Sequence, residues 1–266
     1  MLPPLPTLPK TPRHAFSVFF TLGALLALGC THAFAQATTA DKAEDSDPAH
    51  RREGTRKPLP WPGGRIPYDL SMLTEAQREK VLAAMKRWED TGADLRFVPR
   101  TDETAYVFFT GRTDAGNNTS QVGYRPGVRV DINITTFWWN GEWMQAHELG
   151  HVLGFFHEHQ RWDRDWFVAI RYENIKEGRA HDYDWIPRAA WITDTTPYDY
   201  RSIMHYRVCW AGRCESDCED GRGDSACAVI DPHGSESDAV IGQWQDNRIS
   251  AGDAAKARAV YGTRKP

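Results

Sequence analysis

Hydrophobic residues recur with the period of a helix in residues 75–91 and again in residues 251–261. The apolar positions of the first segment are Val81, Leu82, Met85 and Trp88. Because residues three or four apart share one face of a helix, both segments are predicted to be helical. Ser71 or Thr74 precedes the first segment and can cap its first turn through a side-chain hydroxyl group.

Shorter runs of apolar and β-branched residues between these segments are typical of strands. Residues 95–98 and 106–109 favour strands, and residues 128–134 alternate apolar and polar positions like a half-buried strand. Another helix is predicted to begin near Glu142, and the chain beyond Gly154 is rich in loops. A helix followed by strands and a further helix predicts an α+β fold.

The overall composition is that of a globular protein. Hydrophobic residues make up 41% of the 266 residues and charged residues 26%, which excludes a disordered chain, a coiled coil and a fibrous protein. The 32 basic residues nearly balance the 36 acidic ones, and this balance does not favour nucleic acid as a partner. We expect no transmembrane span, because no run reaches the roughly 18 apolar residues that a membrane helix needs.

The amino-terminal segment has the features of an export signal. Lys10 and Arg13 precede a mostly apolar run of 15 residues, and the Ala-Phe-Ala sequence at residues 33–35 suits a cleavage site. We therefore expect residues 1–35 to be a signal peptide and the mature protein to be secreted or periplasmic. Residues 36–58 are charged and cannot build a core, which predicts a short propeptide or linker.

The cysteines fall into two groups. Cys30 follows a sequence that faintly resembles a lipoprotein processing site, but Ala27 stands where such sites usually carry Leu, so lipid anchoring at Cys30 is not expected. The other four lie within 19 residues: Cys209, Cys214, Cys218 and Cys227. In an exported chain these predict two local disulfides with three possible pairings, in preference to a zinc knuckle, since no histidine lies in the cluster.

The sequence His-Glu-Leu-Gly-His at residues 147–151 is the strongest chemical signal in the chain. On a helix, His147 and His151 share a face, so both imidazoles can reach one cation at about 2.0–2.1 Å. Glu148 lies beside the first histidine and projects near the metal without having to bind it. A carboxylate in that position can accept a proton from a metal-activated water.

Gly154 and His157 extend this motif to a third ligand. A histidine six residues after His151 cannot meet the same ion on a straight helix, so the helix must end and the chain must turn back. Glycine permits that turn because it adopts positive φ readily. Three nitrogen ligands and an open fourth position are typical of a catalytic zinc site rather than a structural one.

Residues 147–164 resemble the extended zinc signature of the astacin family of metallopeptidases, within the metzincins. The signature is His-Glu-x-x-His-x-x-Gly-Phe-x-His-Glu-x-x-Arg-x-Asp-Arg, and every specified position is present. Three further segments are similar to family features. They are the start of the mature domain at residues 61–68, the Met-turn at residues 202–206 and the last helix at residues 249–261.

The resemblance implies a two-lobed catalytic domain over residues 59–263. The first lobe, residues 59–154, would hold a mixed twisted sheet and the active-site helix. The second lobe, residues 155–263, would be loop-rich and end in a helix. The implied activity is that of a zinc metalloendopeptidase with one zinc ion per chain, in which Glu148 is the general base. Its partners would be protein or peptide substrates, and we expect a monomer.

The resemblance also assigns roles to individual residues. Tyr206 corresponds to a tyrosine that binds zinc in the resting enzyme and then stabilises the oxyanion. Met204 would form the hydrophobic floor beneath the zinc. Glu158 corresponds to a glutamate that binds the new amino terminus after propeptide removal. Structural salt bridges are expected for Arg161, Asp163 and Arg164.

Some features depart from the family pattern and leave alternatives open. All cysteines of the mature region are clustered, so the two long-range disulfides of the family are absent, as is its Phe-x-Gly-Asp motif before Trp61. The main alternative is a non-catalytic binding module or adhesin on a peptidase-like scaffold, which the presence of Glu148 disfavours. Hydrolysis of non-peptide amides would use the same chemistry. If the enzyme prefers acidic residues after the scissile bond, Arg207 or Arg213 is a candidate for that preference.

Overall fold

The structure is a computed structural model that describes residues 55–112, 114, 117–141, 143–213, 226–233, 241–242 and 248–265. The predicted signal peptide and most of the predicted propeptide lie outside these residues. The domain boundaries given above therefore remain predictions. Within the described ranges, no helix is long and apolar enough to cross a membrane.

A five-stranded mixed sheet forms the first part of the fold. Its strands are β1 (Arg65–Asp69), β2 (Arg96–Pro99), β3 (Val107–Phe109), β4 (Asn118–Thr119) and β5 (Val130–Asn133). The spatial order is β2-β1-β3-β5-β4, with parallel pairing except between β4 and β5. Strand β5 buries Val130 and Ile132 and leaves the alternate residues half-exposed, as the predicted alternation requires. β4 is an antiparallel edge strand.

Helix α1 (Glu75–Glu89) covers the predicted first helix. Thr74 caps it, and the cap is reciprocal, because the Gln77 side chain accepts from the Thr74 backbone amide at 2.9 Å. The prediction that Leu82 belongs to the apolar face is wrong, since its exposed fraction is 44%. The buried face of α1 is formed by Val81, Ala84, Met85 and Trp88, and Leu82 lies about 100° around the helix from Val81, outside that face.

Helix α2 (Trp143–Val152) packs against α1 and is buried along its whole length. The indole nitrogen of Trp88 donates to the Ala146 carbonyl oxygen at 2.8 Å, which ties the two helices together. Helix α3 (Ala251–Tyr261) returns to the same core, where Ala257 is fully buried. The amide of Asp94 donates to the Gly262 carbonyl at 2.9 Å, so the last helix closes onto the first part of the fold.

The chain after α2 is built mainly from loops and short 3-10 turns, as predicted. Its two described strands, β6 (Val168–Ile170) and β7 (Ile230–Pro232), pair antiparallel. They lie beside a second hydrophobic cluster that includes Val168, Tyr183, Val208 and Ile230. Cys209 and Cys227 are disulfide-bonded. Because Cys214 and Cys218 lie outside the described residues, the proposed set of two disulfides remains a prediction. The architecture confirms the expected α+β class.

Candidate active site

The three predicted histidines converge at the end of α2. His147 and His151 lie on the helix, which ends at Val152, and Gly154 then turns the chain with φ of 101°. A Cβ atom at Gly154 would meet the terminal methyl group of Ile192, which can move, so it is the positive φ that favours glycine there. One ring nitrogen from each histidine, His157 included, lies within 4.8 Å of the others.

The second ring nitrogen of each histidine is held by an oxygen acceptor. These Nδ1 contacts are His147 to the Ile203 carbonyl at 2.7 Å, His151 to the Phe155 carbonyl at 2.8 Å, and His157 to Gln160 Oε1 at 3.2 Å. A carbonyl oxygen can only accept, so Nδ1 carries the proton and Nε2 presents its lone pair to the shared centre. Nothing in the sequence identified these three acceptors.

Burial keeps the three imidazoles neutral. It lowers the pKa of His147 to about 4 and, together with the nearby His147, lowers the pKa of His151 to about 3. Burial and the three neighbouring histidines, His151, His147 and His159, place the pKa of His157 well below its usual value. Metal binding requires the neutral ring. Three neutral Nε2 donors of this kind fit a zinc ion.

Glu148 lies next to these histidines and is held by a residue that the sequence did not indicate. Only 3% of Glu148 is exposed, and burial raises the pKa of its carboxyl group to about 7. The hydroxyl group of Thr119, on edge strand β4, donates to Glu148 Oε2 at 2.6 Å. This contact fixes the carboxylate orientation. Thr119 lies 29 residues away in a two-residue strand, so no local pattern could have identified it.

Met204 packs directly beneath α2. It is fully buried, and a Cβ atom at Gly150 would collide with its sulfur atom and approach Trp88 Cζ2 to 3.2 Å. The glycine inside the zinc motif therefore allows the methionine to lie against the helix. The Met204 carbonyl accepts from the Glu158 amide at 2.9 Å, which joins the Met-turn (residues 202–206) to the segment that carries the third histidine.

Tyr206 lies beside the third histidine. Its ring centroid is 4.4 Å from that of His157, and it stacks on His159 at 4.1 Å. The ring of Trp210 also packs against that of Tyr206, with 5.6 Å between the centroids. The Arg207 guanidinium lies over the Trp210 ring. The other arginine considered for substrate preference, Arg213, donates instead to the Ile175 carbonyl at 3.1 Å.

Glu158 lies in a buried network of charged groups and has no exposed surface. Its Oε1 atom accepts from the Asp199 amide at 2.9 Å and from Arg161 Nη1 at 3.2 Å. Arg161 also forms a bidentate pair with Asp163, with both distances 2.8 Å. The Oε2 atom accepts from the ammonium group of Lys256 on α3, a partner that the sequence did not indicate.

The arginine that ends the signature is also buried, with an exposed fraction of 2%. Arg164 donates to the His159 carbonyl at 3.0 Å and to the Tyr172 hydroxyl at 3.0 Å, and it pairs with Asp165. These contacts tie the chain just beyond the third histidine to the second hydrophobic cluster. The three signature residues expected to form salt bridges all do so in the structure.

Curated relatives are similar to this chain over most of its described length. "Zinc metalloproteinase nas-14" of Caenorhabditis elegans is 38% identical over 147 residues, which cover 55% of this chain and 29% of that protein. "Tolloid-like protein 2" of Homo sapiens is 35% identical over 228 residues, which cover 82% of this chain and 20% of that protein. The chain thus spans less than a third of the length of these two relatives.

A solved structure and a family model agree with these similarities. The structure of high choriolytic enzyme 1, a hatching enzyme zinc-protease from Oryzias latipes, matches with a TM-score of 0.64 at 27% identity. The match covers 79% of this chain and 96% of that one. Residues 54–262 match the model of the peptidase family described as Astacin. The resemblance seen in the sequence is thereby confirmed, and the chain belongs to the astacin family of peptidases.

Proposed function

We propose that this protein is an exported zinc metalloendopeptidase that hydrolyses peptide bonds in proteins. The observation that supports this most strongly is the convergence of three histidine nitrogens within 4.8 Å of one another, beside a buried glutamate. Family membership supports polypeptides as the substrate class. The amino-terminal sequence supports export, through a signal peptide at residues 1–35.

The site would hold one zinc ion through Nε2 of His147, His151 and His157. A zinc ion bound by three nitrogens acts as a Lewis acid that makes water more acidic and polarises a carbonyl group. The protein fixes each donor through its other ring nitrogen, so each imidazole presents Nε2 to the shared centre. The sulfur of Met204 beneath α2 supplies an apolar floor.

Glu148 would act as the general base and then as the general acid. Its carboxylate takes a proton from the attacking water and delivers it to the departing amine. The hydrogen bond from Thr119 supports this role, because it holds the side chain in one orientation without neutralising the carboxylate. The hydroxyl group of Tyr206 would donate to the carbonyl oxygen as negative charge develops on it.

The function is tested with purified mature protein and a denatured protein substrate. We expect cleavage that a chelator abolishes and that stoichiometric zinc restores. The variant Glu148→Gln should keep its zinc and fold but lose at least about 100-fold in kcat, because the base is gone. The control Glu79→Gln changes an exposed carboxylate on α1 and should cleave normally.

The same experiment separates the proposal from its alternative. Wild-type protein that binds zinc tightly but cleaves no polypeptide would favour a non-catalytic binding module. Normal turnover by Glu148→Gln would remove the glutamate from the mechanism while leaving the zinc site intact. Metal analysis of each sample, by atomic emission, should give one zinc per chain.

A further inference from the structure

Lys256 and Glu158 form an ion pair that is almost completely removed from solvent. The exposed fractions of their side chains are 5% and 0%. A lysine is rarely buried in this way unless its charge is paired, because removing an ammonium group from water is energetically costly. By contrast, the pair between Lys86 and Asp90 on α1 has side-chain exposures of 71% and 58%.

The acidic member of this pair connects segments that are distant in sequence. Glu158 directly follows His157, and its backbone amide donates to the Met204 carbonyl at 2.9 Å. One carboxylate oxygen accepts from the Asp199 amide at 2.9 Å and from Arg161 Nη1 at 3.2 Å, and the other accepts from the Lys256 ammonium. Glu158 thus joins the third histidine, the Met-turn and α3.

The energetics of buried ion pairs indicate that stability alone does not explain this arrangement. Replacing such a pair with apolar groups of similar size is often neutral or stabilising, whereas removing only one partner is strongly destabilising because it leaves a buried charge unpaired. What an ion pair does provide is a defined direction and distance between two elements. Here it sets the position of the segment 157–160 relative to α3.

We propose that Lys256 is a positioning residue for the zinc site, with its ammonium group holding Glu158 and thereby the segment that carries His157. The inference rests on the zinc site of the function proposed above. It also implies that the buried carboxylate already has cationic partners, Lys256 and Arg161, within the folded domain. An amino terminus released by processing would have to reach the Glu158 carboxylate, which has no exposed surface. It would then bind an oxygen atom that already accepts from Lys256.

The test compares variants that differ in charge and in length at this pair. Lys256→Met removes the ammonium group, and Lys256→Arg keeps a cation. The double variant Lys256→Met/Glu158→Gln leaves no unpaired buried charge and should therefore fold even where the single variant does not. Lys86→Met serves as the control, because it removes a lysine from an ion pair that is exposed to solvent.

Three quantities are measured for each variant: the zinc dissociation constant by competition with a chelator, kcat and KM on a peptide, and the melting temperature. We expect the double variant to melt close to wild type but to bind zinc about tenfold more weakly, the loss typical when a group supporting a metal ligand is removed. Its kcat should fall while KM changes little. Lys256→Arg should recover most of the zinc affinity, and Lys86→Met should match wild type.

A positioning role would be overturned if the double variant bound zinc and turned over substrate like wild type. The same conclusion would follow if Lys256→Met melted earlier but kept full zinc affinity at a temperature where it is folded. Wild-type protein that binds zinc without cleaving any peptide would defeat the proposed function instead. The zinc dissociation constants would still decide the role of Lys256 in that case.

The amino terminus provides a second test of the internal cations. Terminal sequencing of the secreted protein identifies its first residue, and a second version is then made with three extra residues before it. If the cations inside the folded domain neutralise Glu158, both versions should agree in kcat and zinc affinity within about twofold. A tenfold loss on extension would show that a free amino terminus at that position is needed, which contradicts the internal assignment.

Discussion

The orientation of Glu148 depends on one hydroxyl group from the edge of the sheet. Thr119 donates to its carboxylate at 2.6 Å. A hydrogen bond to a charged group contributes about 1.5–3 kcal/mol, and about 1.4 kcal/mol corresponds to tenfold in rate. We therefore expect Thr119→Val, which keeps the shape of the side chain, to lower kcat by roughly tenfold or more while zinc affinity stays unchanged.

The neighbouring residue offers a matched control for that prediction. Ser120 Oγ accepts from the Asp131 amide at 2.9 Å, so Ser120→Ala also removes one hydrogen bond beside the same strand but does not touch Glu148. Steady-state kinetics on one peptide should therefore separate the two variants. Equal loss of kcat in both would mean that the strand as a whole, and not the contact with Glu148, supports turnover.

Side chains with a fixed local spacing could be predicted from the sequence, and their supporting groups could not. The helix period alone relates His147 to His151, and the need for a turn explains Gly154. The acceptors of the two helical histidines, by contrast, are backbone carbonyl groups, which every residue possesses. Lys256 lies 98 residues from Glu158, and a lysine on a helix is usually solvated, so its burial carried no local signal.

Helix α2 and the Met-turn pack so closely that a side chain at Gly150 would collide with Met204. Alanine normally stabilises a helix interior by about 1 kcal/mol relative to glycine. At Gly150 the new methyl group would meet the sulfur of Met204, and overpacking of this kind costs about 1–3 kcal/mol. We expect Gly150→Ala to lower the free energy of unfolding in urea and to weaken zinc binding.

A double variant identifies the cause of that loss. Combining Gly150→Ala with Met204→Ala removes the atom that the methyl group would meet. The double variant should then lose less stability than the sum of the two single changes, a non-additive result typical of residues in contact. Stabilisation by Gly150→Ala alone, at the value usual for an open helix position, would show that the turn does not press on α2.

Helices α1 and α3 both begin with a reciprocal cap, formed by Thr74 and Gln77 in α1 and by Ser250 and Asp253 in α3, but only the cap of α3 contacts the site. Gln77 on α1 is partly exposed to solvent, so Gln77→Ala should cost about 0.5–1 kcal/mol and leave zinc affinity unchanged. Asp253 on α3 also accepts from the Ser202 hydroxyl at 2.6 Å and the Ile203 amide at 2.8 Å. The Ile203 carbonyl in turn holds His147.

Asp253→Ala is therefore expected to cost about 2–4 kcal/mol, because two buried donors lose their acceptor along with the cap. It should also weaken zinc binding, since His147 is held by the same peptide segment. Urea denaturation and chelator competition on both cap variants check this difference. Similar stability losses with unchanged zinc affinity in both would mean that the cap of α3 has no influence on the site.

Helices and strands with a clear hydrophobic period could be located from the sequence, whereas the shortest strands could not. Helix α1 and strand β5 each contain enough residues to show a hydrophobic pattern. Strand β4 has two residues and exists because the edge of the sheet offers a partner, not because of its own composition. All of α2 is buried, so it shows no amphipathic face, and only the spacing of its histidines indicated a helix.

At the scale of the whole molecule, the site depends on segments that meet only in the folded chain. The core around α1 and α2 includes Phe155, Met204 and Ala257, from beyond the active-site helix. Sequence patterns predicted the last helix but not that it would pack against this first core. Such long-range packing follows from the complementarity of surfaces, which a hydrophobic period does not encode.

Because the three ligands come together only in the native state, zinc should bind the folded protein far better than the unfolded chain. Stability then rises with free zinc, by about 4 kcal/mol when its concentration is roughly 1,000 times the dissociation constant. For a domain of this size that corresponds to roughly 8–16 °C in melting temperature. We expect calorimetry in zinc buffers to show this rise, and His157→Ala to reduce it strongly. A melting temperature independent of free zinc would mean that the histidines do not bind the ion together, because any joint site must favour the folded state.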